Sequence, residues 1–193
     1  MDLLASLPTP LTGPSRRFFA IWDSWRDGKL LPERRRLDTD SLGDLLTRCL
    51  LLGIRGRDEV TICFAGSTVH DLLGTELSGR NYLDLTTPQN RARRAALLLA
   101  EAAQPCAAVI YYWLDGKAGG LTPVELVSAP LLADGATQAT LILACATPLT
   151  SPPGQSKVKP ESYAEGEGLR FIDIGAGIPP LTGNLHLLAQ RVQ

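Results

Sequence analysis

The chain has 193 residues, 45% of them hydrophobic, enough for the core of one domain with appendages. Its net charge of −1 leaves no basic surplus for a nucleic-acid backbone, so no nucleic-acid partner is expected. No apolar run approaches the ~20 residues of a membrane span, and Met1 to Leu11 lacks the basic start and apolar run of a signal peptide, so a cytoplasmic protein is expected.

Residues 1–14, rich in Pro, Thr and Gly, read as a flexible arm. Ser15 then offers a helix cap, and Phe18, Ile21, Trp22 and Trp25 follow at helical spacing until Gly28. A short second helix is expected over Thr39 to Leu46, so residues 15–47 form an N-terminal helical cap. The period then changes to that of a sheet. Arg48 to Ile54 and Glu59 to Ala65 read as two strands, with a hairpin turn at Gly56, Arg57 and Asp58. Thr68 to Leu73 is a short helix ended by Gly74. Thr87 and Pro88 start a long one that runs through the Ala- and Leu-rich stretch to Ala103. Three strands follow: Cys106 to Leu114, Leu121 to Leu132 and Ala136 to Thr147. The Asp-Gly pairs between them, Asp115-Gly116 and Asp134-Gly135, argue for antiparallel pairing. Residues 148–168 read as a linker, and residues 169–193 as a tail in which Leu169 to Ile174 offers one extra strand.

The chemical signals are sparse. Cys49, Cys63, Cys106 and Cys145 include no C-x-x-C pair and read as small buried hydrophobes. His70 sits on a short helix with no second ligand near it, so haem is not expected. Asp38, Asp40 and Asp44 are too few oxygen donors for a metal and read as helix caps and as partners of Arg34, Arg35 and Arg36. The stretch FIDIGAGIPP, Phe171 to Pro180, is similar to the first glycine loop of methyltransferases. Pro179-Pro180 blocks the helix that such a loop needs, and the residues after it are too few for a unit of about 30 residues, so it reads as a strand ending in a glycine turn.

Two strands, helices and three antiparallel strands form the order of the PAS fold. LLGTELSGRNYLDLTTPQNRARRAALL resembles the middle of such a domain, where a Gly-Arg element precedes a Pro-started helix. IWDSWRDGKLLPERRRLDTDSLGDLL followed by CLLLGIRGRDEVTICFAGSTV narrows the resemblance to the bacterial PAS_5 family. Trp22, Arg26, Gly28, Leu31, Pro32, Arg34, Asp38, Ala65, Gly66, Ser67, Thr68, Gly79 and Arg80 stand at the matching positions. The resemblance covers roughly residues 16–147, with residues 48–147 as the PAS core. It implies an α+β fold, a five-stranded antiparallel sheet with helices on one face and an added N-terminal amphipathic helix. It also implies a signalling role and no particular ligand or cofactor. Blue-light sensors on this scaffold carry a reactive cysteine after Gly-Arg-Asn. Here Tyr82 follows Gly79, Arg80 and Asn81, so no flavin adduct can form.

The expected function is that of a non-enzymatic sensory or regulatory protein. It would bind a small ligand in a cavity lined by Phe64, Tyr82, Leu98, Tyr111 and Trp113, or a partner protein, or both. The alternative is a structural interaction adaptor whose cavity is filled by its own side chains. With no output domain visible, the output falls to a separate protein such as a signalling kinase or regulator. The strand from Cys106 carries apolar residues in both phases, Val109, Tyr111 and Trp113 in one and Ile110 and Tyr112 in the other, so both sheet faces should be covered. The stripe Phe18, Ile21, Trp22 and Trp25 is the cover, on this chain's sheet or a partner's, and is expected to contribute to a homodimer interface.

Overall fold

The structure, a computed structural model, describes residues 3, 7, 11–74, 76–86, 88–116, 120–149 and 169–180, and not the side chains of 89, 113–116, 120 and 121. The elements run α1 (Gly13–Arg26), α2 (Thr39–Leu42), β1 (Cys49–Ile54), β2 (Val60–Ala65), α3 (Ser67–Leu73), α4 (Pro88–Ala103), β3 (Cys106–Gly116), β4 (Gly120–Leu132), β5 (Ala139–Pro148) and β6 (Leu169–Asp173). Short 3-10 turns lie at Arg34–Arg36, Gly43–Arg48 and Tyr82–Leu85.

The strands form one antiparallel sheet in the order β2-β1-β5-β4-β3-β6. It has six strands, where five were expected. The segment read as a possible extra strand is β6, and it pairs along Cys106 to Ile110 of β3. Without it the first half of β3 would leave its outer N–H and C=O groups open.

Helices cover both faces, the second by the N-terminal helix as the apolar phases of β3 led one to expect. The α3 and α4 side packs Val60, Ile62, Val124, Leu126, Ile142, Ala144 and Ala146. The α1 side packs Val109, Val127, Ala129, Leu131, Leu141, Leu143 and Cys145. The inner strands β1, β5 and β4 and the first half of β3 are therefore apolar in both phases, as a sheet buried on both faces requires, while the edge strands β2 and β6 are not.

Helix α1 starts two residues before the expected cap at Ser15. Thr12 is the N-cap, its hydroxyl accepting the Ser15 N–H at 3.3 Å, with Pro14 in the first turn. Ser15 is fully buried inside that first turn. Leu3, Leu7 and Leu11, assigned to a flexible arm, are buried in the same cluster as α1. At the other end Asp27 takes the left-handed conformation (φ 51°) and Gly28 follows it (φ 76°). Phe18, Phe19 and Trp22 are fully buried and Trp25 nearly so, all against this chain's own sheet. The Trp22 indole N–H donates to the Pro130 carbonyl at 3.2 Å. That carbonyl lies past Ser128, where the β3 ladder ends, so the indole supplies the partner that the sheet does not.

Candidate functional site

The β1–β2 hairpin decides which side chains reach the interior under α4. The pairing shifts between Leu51 and Leu52: Leu52 opposes Ile62, while Leu51 opposes Phe64. The extra residue, Cys63, is a bulge, and a one-residue slip turns the following side chains to the other face. Phe64 therefore shares a face with Leu51, on the α1 side, and is 37% exposed. Tyr111 also belongs to the α1 side, opposite Glu125. These two placements correct the cavity set expected from the sequence. Tyr82 and Leu98 do pack against the cluster under α4, joined there by Ile110 and Tyr112. The side chain of Trp113 lies outside the described residues.

The Gly-Arg-Asn element closes the open edge of β2. The Ile62 N–H donates to the Arg80 carbonyl at 2.8 Å, and the Gly79 N–H donates to the Ile62 carbonyl at 2.8 Å. Asn81 Oδ1 accepts from the N–H groups of Val60 and Leu83, both at 3.1 Å, and its Nδ2 donates to the Asp58 carbonyl at 2.7 Å. Gly79 has φ 79°, which a side chain would strain. Tyr82 then turns inward beneath the Arg94 guanidinium, 5.0 Å from its ring centre. In this chain the element that precedes the reactive cysteine of light sensors holds an edge strand and a ring.

Under α4 the interior is lined by large apolar side chains. Leu52, Ile62, Leu77, Leu83 and Ile142 are fully buried there, and α4 contributes the small side chain of Ala95. One carboxyl sits in this region, beside the Ser128 hydroxyl. Glu101 of α4 is 3% exposed, and its Oε2 accepts the Ser128 hydroxyl at 3.0 Å. Its Oε1 has no hydrogen-bond partner among the described residues. Burial pushes the Glu101 carboxyl up to about 8, so it is neutral at pH 7 and carries a proton that it can donate. Burial likewise raises the Tyr112 phenol. The Cys106 thiol is raised by burial, with Glu101 and Asp173 adding to the effect.

A second buried carboxyl lies on the opposite face. Glu125, 1% exposed, accepts the Thr12 N–H at 3.1 Å, the Thr12 hydroxyl at 2.5 Å and the Tyr111 hydroxyl at 2.8 Å. It sits against the N-terminus of α1, where the helix dipole favours an acidic group. The residue expected to line a ligand cavity, Tyr111, instead helps to anchor the cap.

The remaining signals are structural. Asp38 caps α2 through the Asp40 N–H at 3.0 Å. Asp44 pairs with Arg17 at 2.5 Å, a hydrogen bond that holds its carboxyl below the ordinary value. The basic run Arg34–Arg36 pairs elsewhere than expected, Arg35 with Glu33 and Arg36 with Asp27. His70 lies 3.8 Å from Glu76. The glycine loop after β6 folds on its own acid: Asp173 Oδ1 accepts the N–H groups of Gly175 at 2.7 Å and Gly177 at 2.8 Å. Among the described residues no group of three His, Cys, Asp or Glu is placed to hold a metal, and no helix is long and apolar enough to cross a membrane.

Sequence reasoning missed Glu101 and Glu125. Glu101 is the one acid in the run AALLLAEAA, which marks it as unusual. Glu125 is likewise the one acid in the strand GLTPVELVSAPLL, but its partners Thr12 and Tyr111 lie on other elements and could not be read from it.

The family model described as PAS domain, PAS_5, matches residues 12–145. No curated protein matches the chain. Among solved structures, the PAS domain of an HTR-like protein from Haloarcula marismortui is similar at 14% identity over 57% of this chain and 97% of its own, with a TM-score of 0.39. A fungal LOV domain photoreceptor is similar at 21% identity over 58% of this chain and 81% of its own, with a TM-score of 0.39. An RNA-binding light-oxygen-voltage receptor is similar at 19% identity over 62% of this chain, which spans 36% of that receptor, with a TM-score of 0.40.

Proposed function

Because the chain belongs to the PAS_5 family of PAS domains, we propose that it is a sensory module of signal transduction whose small-molecule site lies between α4 and the sheet, with Glu101 as its polar anchor. The observation that carries this reading is the Glu101 Oε1, buried with no partner among the described residues in an otherwise apolar interior. An orphaned polar atom there costs about 1–3 kcal/mol. A ligand that hydrogen-bonds it recovers that cost. The carboxyl is neutral at pH 7, so the matching ligand is uncharged, with a hydrogen-bonding group at one end and an apolar body against Tyr82, Leu98, Ile110 and Tyr112. Entry requires these side chains to part, and that displacement is the signal.

Output goes to a separate partner, such as a signalling kinase or regulator, or to a second copy of the chain. The aromatic stripe expected at a dimer interface is covered by this chain's own sheet, so either partner gains it only when α1 is released.

The large buried side chains under α4 favour a second reading, an interaction adaptor without a ligand. Native mass spectrometry of the purified protein separates the two. A mass excess that disappears in Glu101→Leu supports the sensor. A bare mass in the wild type, unchanged after incubation with small neutral alcohols and amides, supports the adaptor.

A further inference from the structure

We propose that Cys49 and Cys145 form an oxidation site, at which a small hydroperoxide converts a buried pair of thiols into a disulfide joining β1 to β5. Both cysteines are free, fully buried and in the cluster beneath α1. They stand directly opposite each other across the antiparallel β1–β5 ladder.

The backbone bonding defines the kind of pair. The Cys49 carbonyl accepts the Gly66 N–H at 2.9 Å, on the β2 side. On β5 the Leu149 N–H donates to the Pro123 carbonyl at 2.8 Å, so by alternation the backbone groups of Cys145 also point to β4. Neither cysteine spends its backbone groups on the other. The pair therefore occupies a non-hydrogen-bonded site, where opposite Cα atoms stand about 4.5 Å apart and the side chains are closest. That spacing falls within the roughly 4.4–6.8 Å that a disulfide spans. The strands need not move apart or slip for the bond to form.

The two sulfurs are not equivalent. The neighbouring Cys49 sulfur holds the Cys145 thiol below its ordinary value, with the Arg48 charge adding to this, and the Cys145 sulfur together with burial pushes Cys49 up. Cys145 is the attacking sulfur. Its thiolate attacks one peroxide oxygen: the S–O bond forms, the O–O bond breaks, and the leaving hydroxide takes a proton from solvent to become water. The Cys49 sulfur then attacks the sulfenic sulfur of Cys145. The S–S bond forms, the S–O bond breaks, and the departing hydroxyl leaves as water with the Cys49 proton. Two thiols are oxidised and one hydroperoxide is reduced to two waters when it is hydrogen peroxide. A small neutral oxidant suits the site because neither sulfur is exposed, which excludes a bulky disulfide reagent while α1 is in place.

The test uses the full chain with Cys63→Ser and Cys106→Ala, which leaves only the pair. Folded protein is treated with hydrogen peroxide, alkylated after denaturation and weighed intact. The expected result is the loss of two hydrogens with neither thiol alkylated, reversal by dithiothreitol, and a proteolytic fragment linking Cys49 to Cys145. Adding Cys49→Ala should instead leave a Cys145 sulfenic acid that dimedone traps when the treated protein is denatured in its presence. Wild-type protein, mapped in the same way, keeps the test valid if a variant fails to fold. Two freely alkylated thiols after treatment, or cross-links between chains in place of the internal one, would overturn the proposal.

Discussion

On the α1 side of the sheet the covering helix supplies Phe18, Phe19, Trp22 and Trp25, whereas on the other side α4 supplies Ala95 and Leu98. Each aromatic buries some 150–250 Å². Ala95 and Leu98 together offer far less area than the four aromatics. The polar groups differ in the same way. Glu125 on the α1 side receives bonds from Thr12 and Tyr111, while Glu101 under α4 receives one from Ser128 and keeps an oxygen unpartnered among the described residues. The α1 face bonds its carboxyl through both oxygens and leaves a hydroxyl, Thr147 Oγ1, unpartnered among the described residues, whereas the α4 face leaves a carboxyl oxygen unpartnered, the stronger anchor for a ligand.

The strongest way to break this contrast is to remove an aromatic. Trp22→Ala deletes a fully buried ring and orphans the Pro130 carbonyl, and should cost about 3–5 kcal/mol in a denaturant melt. A loss below about 1 kcal/mol would show that α1 is not a structural cover.

Next is the pH dependence that Glu101 imposes. Below about 4.5 the folded and unfolded states both carry its proton. Between 4.5 and about 8 the folded state holds the proton more tightly, so stability falls as pH rises, and it levels off above 8. The total should be a few kcal/mol, because each tenfold difference in proton affinity between the two states is worth ~1.4 kcal/mol. Glu101→Gln cannot ionise and should flatten this part of the profile, read as melting temperature against pH in both proteins. Parallel profiles would mean that Glu101 is hydrated and not buried.

A smaller effect is expected at the saturated carboxyl. Thr12→Ala removes both the helix cap and the hydroxyl on Glu125, and should cost about 1–2 kcal/mol in the same melts. No measurable loss would mean that the cap is held by apolar contact alone.

The smallest effect is at Phe64. Its side chain is 37% exposed beyond the bulge, so Phe64→Ser should stay within about 0.5 kcal/mol of wild type and leave any bound mass unchanged. Loss of a ligand in this variant would return Phe64 to the binding site and overturn the assignment of faces.

The expected elements were legible wherever local chemistry decides: the strand-to-helix change of period, the turn at Asp134-Gly135, Pro88 at a helix start and the aromatic stripe of α1, whereas Asp115-Gly116, expected to open a turn, ends β3 as paired strand. The Gly-Arg-Asn element was also legible as a scaffold feature. Its role was not, because the bonds from Gly79, Arg80 and Asn81 reach residues about twenty positions earlier in the chain.

What only the tertiary structure decided was the assignment of faces. Alternation in β3 separates Tyr111 from Tyr112, but both phases are apolar, so the pattern cannot say which one meets α4. A single bulge at Cys63 reverses Phe64 without any mark in the sequence. The sixth strand needed an open edge on β3, and the pairing of Cys49 with Cys145 needed the β1–β5 register. By itself the sequence determined which segments are helix and strand and that both sheet faces are buried, since those follow from local preference and apolar periodicity. Register, face and partner are relations between distant segments, and long-range pairing alone sets them.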